Sequence, residues 1–230
     1  MNDRKKIVFL TGAGVSAESG IKTFRDSNGL WENHDIHEVA SPEGWRKNRG
    51  LVLEFYNQRR KQLLECEPNA AHYLIASLEK DYDVVVVTQN VDDLHERAGS
   101  TKVIHLHGEL LKACSSMNKE LTVEWKGDIN IGDKHADGSQ LRPFIVWFGE
   151  SVPLIEYAGE EVKSADILVV CGTSLQVYPA AGLMNHARYG AKRFYIDPSP
   201  DYGILPNSVS VIPKIASEGM LDFIETLQDS

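Results

Sequence analysis

The sequence is short of cysteine, of basic charge and of long apolar runs, and each shortage narrows the reading. Its three cysteines, Cys66, Cys114 and Cys171, are odd in number, scattered and without a CxxC spacing. They argue against a disulfide framework and against a four-cysteine zinc site, and suit a reducing compartment. Lys and Arg number 24 against 33 Asp and Glu, so the net charge is −9 and no broad basic face for nucleic acid is expected. No segment reaches the length of a membrane span. The apolar run that follows MNDRKK is too short for the core of a signal peptide. Internal repeats and low-complexity tracts are also missing. The expectation is a soluble cytoplasmic protein. Its 230 residues with 42% hydrophobic content suit one sizeable α/β domain, or one with a smaller insertion.

What the chain does have is concentrated first between Lys5 and Asp26. Ile7 to Leu10 has the length and branching of a buried strand, and Gly12-Ala13-Gly14-Val15-Ser16-Ala17 follows at once. The run matches G-x-G-x-x-G/A. Gly12 suits a tight turn, Gly14 lets backbone approach a pyrophosphate, and Ala17 lets a helix pack close to its strand. Amides at that helix's start would then face an anion. The acidic residue that usually holds the ribose about twenty positions on is not convincingly present. Glu32 and Asp35 have the spacing but do not end a strand. Phe24 and Arg25 lie instead in a polar loop beside the glycines, where they could cover phosphates and a ring. A nucleotide site is expected, but not one for hydride transfer.

Further along, helices are expected to start at Ser41-Pro42 and to run over Leu51 to Glu65, Pro68 to Lys80 and Gly219 to Leu227. Strand candidates are Val84 to Val87, Val103 to Leu106, Phe144 to Phe148, Ile167 to Cys171, Phe194 to Ile196 and Ser208 to Ile212. Val84 to Val87 is apolar on both faces, as in a parallel sheet covered by helices. Leu110 to Arg142 is polar, glycine-dotted and weakly periodic, and reads as a small lobe. Five strands lead directly into chemistry-bearing turns: Gly12-Ala13-Gly14, Gln89-Asn90-Val91-Asp92, His107-Gly108, Gly172-Thr173-Ser174 and Asp197-Pro198. In an open parallel sheet ligands bind outside the carboxyl ends of the strands, so these turns imply one long cleft.

Each group also has a plainer reading. Gln89, Asn90 and Asp92 could grip a carboxamide and ribose hydroxyls, or form a turn in which Asp92 or Asp93 caps a helix. Gly172-Thr173-Ser174 suits phosphate or ribose, or another helix entry. His105 and His107 share one side of a strand; they could be a metal pair, a general base with a supporting residue, or structural. No neighbouring cluster completes a metal site, and Gly108 lets a substrate come close, so His107 is favoured as the base. Tyr56 and Arg59 share a helix face and would suit a ligand carboxylate. By spacing alone they fit a half-buried ring beside a solvated Arg59-Arg60-Lys61 face better. Val146 to Glu150 could pair with an extended peptide or be a core strand.

Taken in order and together, these segments resemble the sirtuin family of NAD-dependent protein-lysine deacylases over about residues 5–216. The resemblance rests on Gly12 to Ser16, Thr23 to Asp26, Thr88 to Asp92, His107-Gly108, Gly172 to Ser174 and Val146 to Glu150. It implies a Rossmann-like doubly wound parallel sheet with a smaller inserted lobe. Residues 1–29, 71–109 and 145–230 would form the NAD-binding lobe, 30–70 a helical insertion and 110–144 a small lobe. It further implies that Gly12, Ala13, Gly14, Ser16, Phe24, Arg25, Gln89, Asn90, Asp92, Gly172, Thr173, Ser174, Asp197 and Ala216 bind NAD. His107 and Asn90 would be catalytic: the acyl oxygen attacks the ribose as nicotinamide leaves, and His107 deprotonates a ribose hydroxyl. Val146, Trp147, Phe148, Gly149 and Glu150 would meet the peptide and acyl-lysine. The chain most resembles the class preferring acidic acyl groups, which is marked by a Tyr-x-x-Arg pair, here Tyr56 and Arg59, and by a small pocket residue, here Ala40. That reverses the spacing-only reading of Tyr56 and Arg59.

Most family members hold the small lobe with four zinc-ligating cysteines in two pairs, whereas here only Cys114 falls in that region. The spacing of Asp133, His135 and Asp137 offers no standard replacement. No metal is expected, and the lobe should be held by packing around residues such as Trp125 and Ile129. Phe144 stands where many relatives have His, a difference with no functional conclusion attached. The expected partners are acylated-lysine proteins, with no nucleic acid and no membrane, and the chain is expected to act as a monomer. ADP-ribosyl transfer, NAD hydrolysis, a non-catalytic NAD-sensing module and, remotely, an HxH metallohydrolase are the alternatives.

Overall fold

The computed structural model describes residues 4–22, 30–31 and 34–228. Phe24 and Arg25 lie outside the described residues. The chain runs through β1 (Lys6–Thr11), a 3-10 helix (Ala13–Ser19) and a hairpin of β2 (Leu30–Trp31) and β3 (His34–Asp35). Three helices follow, α1 (Ile36–Val39), α2 (Pro42–Lys47) and α3 (Arg49–Glu65). Next come α4 (Ala70–Ser77), β4 (Asp83–Thr88), α5 (Leu94–Arg97), β5 (Val103–His105), β6 (Gly108–Ser115), β7 (Thr122–Glu124), β8 (Leu141–Ile145) and α6 (Ile155–Lys163). The chain finishes with β9 (Ile167–Cys171), a 3-10 segment (Ala180–His186), β10 (Lys192–Ile196), β11 (Val209–Ile212) and α7 (Ala216–Gln228). No helix among the described residues is long and apolar enough to cross a membrane.

The main sheet has six strands in the order β11-β10-β9-β1-β4-β5, and its pairs are parallel. Side chains alternate between its faces. Ile7, Phe9, Val84, Val86 and Val169 pack under α4 and α7 through Ile75, Met220 and Phe223. Val8, Leu10, Val85, Val87 and Leu168 pack under α6 through Ala158 and Val162. Both faces are covered, which is why these strands read as unbroken apolar runs. Counted within the sheet, the order is 3-2-1-4-5-6, and connections leave β1 and β9 in opposite directions, opening a crevice at their carboxyl ends.

A second layer is built from α1, α2, α3 and the antiparallel sheet β7-β6-β8 around one core. Trp45, Val52, Phe55, Tyr56, Ile129, Leu141 and Trp147 are buried there, and Trp125 packs at its edge. The lobe's sheet starts at Gly108 and ends at Ile145. Its main staple is helical. Arg60 is fully buried, with Nε donating to the Leu110 carbonyl at 3.0 Å and Nη1 to Asn57 Oδ1 at 3.0 Å. The Asn57 amide in turn donates to Ile129 O (3.1 Å), and its oxygen accepts the Ile129 amide (2.9 Å). Arg60 is therefore not part of a solvated basic face, although neighbouring Lys61 is exposed and pairs with Asp128.

At the far end of the lobe the knot is a hydroxyl. Ser115 Oγ is buried; it donates to Asp137 Oδ2 (2.5 Å), lies 2.8 Å from Ser139 Oγ, and accepts the amides of Met117 and Asn118 (3.0 Å each). The hydrogen bonds from Ser115 and Ser139 pull the Asp137 carboxyl down to about 2. A carboxyl depressed on folding supports the fold above its ordinary range, and that support is lost only as pH falls towards about 2. Ser115→Ala leaves two amides without their acceptor and is expected to cost about 2 kcal/mol, lowering the melting temperature by about 5 °C. A thermal melt at neutral pH checks this; an unchanged melting temperature would show that the knot holds nothing.

Two expectations need correction. The strand placed at Phe144 to Phe148 is β8, and it ends at Ile145. Beyond that point the partner is a loop and Trp147 turns into the core, so the β-prone residues Val146 to Phe148 leave the sheet and turn at Gly149. The helix expected after the glycines is a 3-10 helix. Val15 N bonds back to Gly12 O, whereas Gly14 N is taken by Gly172 O of a neighbouring loop.

Candidate active site

A cavity of about 580 Å³ opens where β1, β4 and β9 end. Gly12, Ala13, Gly14, Gln89, Asn90, Asp92, His107, Gly172, Thr173, Ser174, Asp197 and Ala216 line it, and so do Ala40, Tyr56, Arg59, Val146, Trp147, Phe148, Gly149 and Glu150. Thus, of the described residues that the sequence assigned to the site, all but Ser16, which lies behind it, converge on one space. Sequence reasoning missed Val177 and Tyr178, which follow the Gly172 turn, and Gln62 and Leu63 on α3. None of these carries a local motif, and only the register of α3 with Tyr56 and Arg59 could have suggested Gln62 and Leu63.

The glycine turns are packed back to back. A Cβ on Gly12 would lie 2.7 Å from Thr173 Cβ, and one on Gly14 2.7 Å from Gly172 Cα. Gly172 itself has φ +64, a conformation that side chains disfavour. These glycines therefore serve loop-to-loop approach as well as the close approach of a ligand. The resulting cradle, the backbone amides around it and the elongated crevice fit a dinucleotide. Asp197, buried at the end of β10, accepts the Ser199 amide at 2.9 Å. Asp35, the alternative ribose ligand, instead caps α1 by accepting the His37 amide at 2.8 Å.

The turn after β4 organises the chemistry. Asp92 Oδ2 accepts from Ser16 Oγ (3.0 Å), and Oδ1 accepts the Leu94 amide (3.3 Å) in a turn ahead of α5, whose N-cap residue Asp93 makes no side-chain capping bond. Asn90 Nδ2 donates to Ser16 Oγ at 3.1 Å. Beneath them His72, which the sequence offers only as part of a helix start, accepts the Asn69 amide at Nδ1; its Nε2–H therefore faces Ser16 Oγ at 3.4 Å. Burial lowers the His72 pKa to about 4, so the ring is neutral. Burial raises the Asp92 pKa to about 6, opposed by the Leu94 amide and the Ser16 hydroxyl. Gln89 Nε2 donates to Thr173 Oγ1 (3.0 Å), tying this turn to the Gly172 turn.

Both histidines after β4 are held by carbonyls of that turn. His105 Nδ1 donates to Asn90 O (3.1 Å), and its Nε2 meets Glu96 Oε1 at 2.6 Å. Burial pulls the His105 pKa down, but the Glu96 hydrogen bond and charge outweigh it and hold it above its ordinary value. His107 Nδ1 donates to Gln89 O at 3.0 Å, which leaves the lone pair on Nε2. Burial lowers the His107 pKa, with the Gln89 carbonyl opposing. Gly108 (φ +85) fixes the exit: a Cβ there would lie 2.1 Å from Phe144 O.

Tyr56 and Arg59, both on α3, line the same cavity as Ala40. Burial pushes the Tyr56 phenol well above its ordinary range, against the pull of the Arg59 charge and of a hydrogen bond from Trp147. The ring is fully buried, not half-buried. The Val146 to Glu150 amides are mostly committed within the chain. Val146 N donates to His107 O (2.9 Å), Phe148 N to Ala40 O (2.9 Å) and Glu150 N to Trp147 O (2.9 Å). Trp147 N donates to Glu150 Oε2 at 3.0 Å.

The lobe's donor set does not fit tetrahedral zinc. Cys114 is its one thiol; Sγ is buried 3.9 Å from Pro143 O, and burial raises its pKa to about 11, away from the thiolate that zinc needs. The Asp137 oxygens are engaged by Ser115 and Ser139. No group of three His, Cys, Asp or Glu side chains among the described residues is arranged to hold a metal ion.

The Sir2 family model matches residues 12–179. An NAD-dependent protein deacylase of Helicobacter pylori is 57% identical over 223 residues, covering 97% of this chain and 97% of the relative. One of Bacteroides thetaiotaomicron is 54% identical over 230 residues, covering 97% and 98%. A solved complex of a Sir2 homologue with NAD superposes with a TM-score of 0.86 at 38% identity, covering 99% of this chain and 91% of that one. A complex of Sir2 with a p53 peptide and NAD+ gives 0.82 at 29% identity, covering 100% and 96%. With its crevice, its paired glycine turns and its imidazole set as the sequence led one to expect, the chain belongs to the Sir2 family.

Proposed function

We propose that this Sir2-family NAD-dependent protein deacylase removes acidic acyl groups, succinyl or malonyl, from lysine side chains, with weaker activity on acetyl-lysine. The observation that carries the reading is that Arg59 and Tyr56 share one cavity with His107 and the glycine turns. An acetyl group ends in a methyl and has nothing for a guanidinium to pair with, whereas a succinyl group ends in a carboxylate, which a guanidinium recognises through paired hydrogen bonds.

Gly12, Ala13, Gly14, Gly172, Thr173, Ser174, Asp197 and Ala216 would hold the dinucleotide, with Gln89, Asn90 and Asp92 at its nicotinamide end. When bound, NAD supplies a sugar carbon from which nicotinamide leaves as the acyl oxygen attacks. Asn90 is oriented by Ser16, and Asp92 is held by Ser16 and the Leu94 amide. His107 Nε2 takes the hydroxyl proton, as its tautomer allows. Phe148 and Gly149 flank the peptide. A division into residues 1–29, 71–109 and 145–230 against 30–70 and 110–144 would put the reacting groups at the junction of the two parts. The small lobe works without zinc, held by Arg60, Asn57 and Ser115. Metal analysis of purified protein is expected to find far less than one zinc per chain, and one equivalent would overturn that part.

Mass spectrometry of acyl-lysine peptides incubated with and without NAD tests the whole reading. Succinyl- or malonyl-lysine peptides should lose their acyl group only with NAD and yield O-acyl-ADP-ribose. Faster turnover of acetyl-lysine would sink the acidic preference. ADP-ribose left on protein instead would sink deacylation.

A further inference from the structure

We infer that His105 and Glu96 form a positioning pair for the reaction, in which His105, protonated on both nitrogens, holds the Asn90 carbonyl in place; this deepens the reading above and rests on its placing of Asn90 and His107. His105 Nδ1 lies 3.1 Å from Asn90 O, and Nε2 lies 2.6 Å from Glu96 Oε1. A carbonyl and a carboxylate can only accept, so a ring that satisfies both must donate from both nitrogens, as an imidazolium. The His105 side chain is 8% exposed and that of Glu96 40%, so the ring is shielded while its anion opens to solvent. Burial works against the cation, but the Glu96 hydrogen bond and charge outweigh it and keep the His105 pKa above its ordinary value. Asp92, Asp93, Glu109, Glu124, Lys112 and Lys126 line a small cavity beside the ring. They include more carboxylates than lysines, and Lys112 already pairs with Glu109 at 2.8 Å, so these surroundings favour the cation too. His95, facing from α5, is kept neutral by its burial.

The Asn90 carbonyl is one of four in a row held from a single segment. Leu106 N donates to Thr88 O (2.9 Å), His107 Nδ1 to Gln89 O (3.0 Å), His105 Nδ1 to Asn90 O, and Leu110 N to Val91 O (2.7 Å). The outer two bonds join backbone to backbone; the inner two are made by imidazoles. Those inner bonds bear on the chemistry, because one fixes Asn90 and the other sets the tautomer and direction of His107. Asn90 is otherwise held by its amide on Thr88 Oγ1 (3.0 Å) and its side chain on Ser16 Oγ (3.1 Å), so His105 supplies the third point. A neutral His105 has one proton for two acceptors, and the charged carboxylate is the stronger of them. Loss of the second proton therefore releases the Asn90 carbonyl, and the adjoining peptide that orients His107 loosens with it. Such small misplacements at a reacting centre cost rate more than binding.

Nitrogen NMR of histidine-labelled protein tests the protonation state without any change of sequence. At a pH above the ordinary histidine pKa, one ring should remain protonated at both nitrogens, and its signals should vanish in His105→Phe. In Glu96→Gln that ring should become neutral with its proton on Nδ1, since a glutamine amide can donate to Nε2 and a carboxylate cannot. Steady-state kinetics on an acyl-lysine peptide tests the positioning. His105→Phe should lower kcat about tenfold, with NAD affinity by calorimetry little changed. Glu96→Gln should lower kcat less, and should lack the fall that the wild type shows as alkaline pH removes the His105 proton. A neutral His105 in the wild type, superimposable pH profiles for wild type and Glu96→Gln, or full kcat in folded His105→Phe would overturn the inference alone. Full activity in His107→Ala would overturn the placing of the reacting groups and this inference with it.

Discussion

His107→Ala is expected to lower kcat for deacylation by a factor of about 10² to 10⁴, with a much smaller change in NAD affinity. The imidazole presents a lone pair because Nδ1–H is spent on the Gln89 carbonyl. Its neighbour cannot take over, since His105 engages Asn90 O and Glu96 with its two nitrogens. Because burial lowers the His107 pKa, the neutral base persists to lower pH than in an ordinary histidine. The acid limb of kcat/KM should therefore lie below the usual value of about 6.5, and Asp92, at about 6, can contribute to the same limb. Added imidazole should restore part of the activity of the alanine variant, because the space and the proton acceptor are what was removed. Steady-state kinetics across pH, with NAD binding by calorimetry, separates these effects. A variant that keeps more than about a tenth of the wild-type kcat would place the base elsewhere.

The sheet was legible because its strands are short branched runs that end in turns, and a strand buried on both faces needs nothing but apolar residues. The turns were legible for a different reason: Gly12, Gly172 and Asn90 are residue types that a covered parallel sheet does not otherwise demand. What stayed hidden acts over distance. Arg60 reads as one of three basic residues in a row, and only the Leu110 carbonyl and Asn57 explain why it is buried. His72 reads as part of a helix start, which it is, and its second nitrogen serves Ser16 across 56 residues of sequence. Val146 to Phe148 has β-prone composition without β structure, because the hydrogen-bonding partners on either side are the His107 and Ala40 carbonyls of two different loops. Ser115 and Asp137 have no motif between them, and their knot could not be read from spacing.

Arg59→Met should lower kcat/KM on succinyl-lysine about a hundredfold and shift the succinyl-to-acetyl ratio by a similar factor, since breaking one partner of a desolvated charge pair costs about 2–5 kcal/mol. Methionine keeps the length and the apolar stem. Arg59 lies over the Phe55 ring, 5.7 Å from its centroid, so most of its packing survives the exchange. The charge and the planar fork do not. The acetyl peptide supplies a control within the same protein, because any loss of fold or of NAD binding would lower both rates together. Arg59→Lys separates the two remaining contributions. A lysine restores the charge but not paired hydrogen bonds, so it should recover only part of the ratio if the fork matters. Competition between the two peptides in one reaction, read by mass spectrometry, gives the ratio free of errors in enzyme concentration. Parallel losses on both peptides would mean that Arg59 holds α3 in place and reads no carboxylate. The arrangement around it favours the other outcome, since α3 is already fixed at the next position by Arg60, which has its own carbonyl partners in the small lobe.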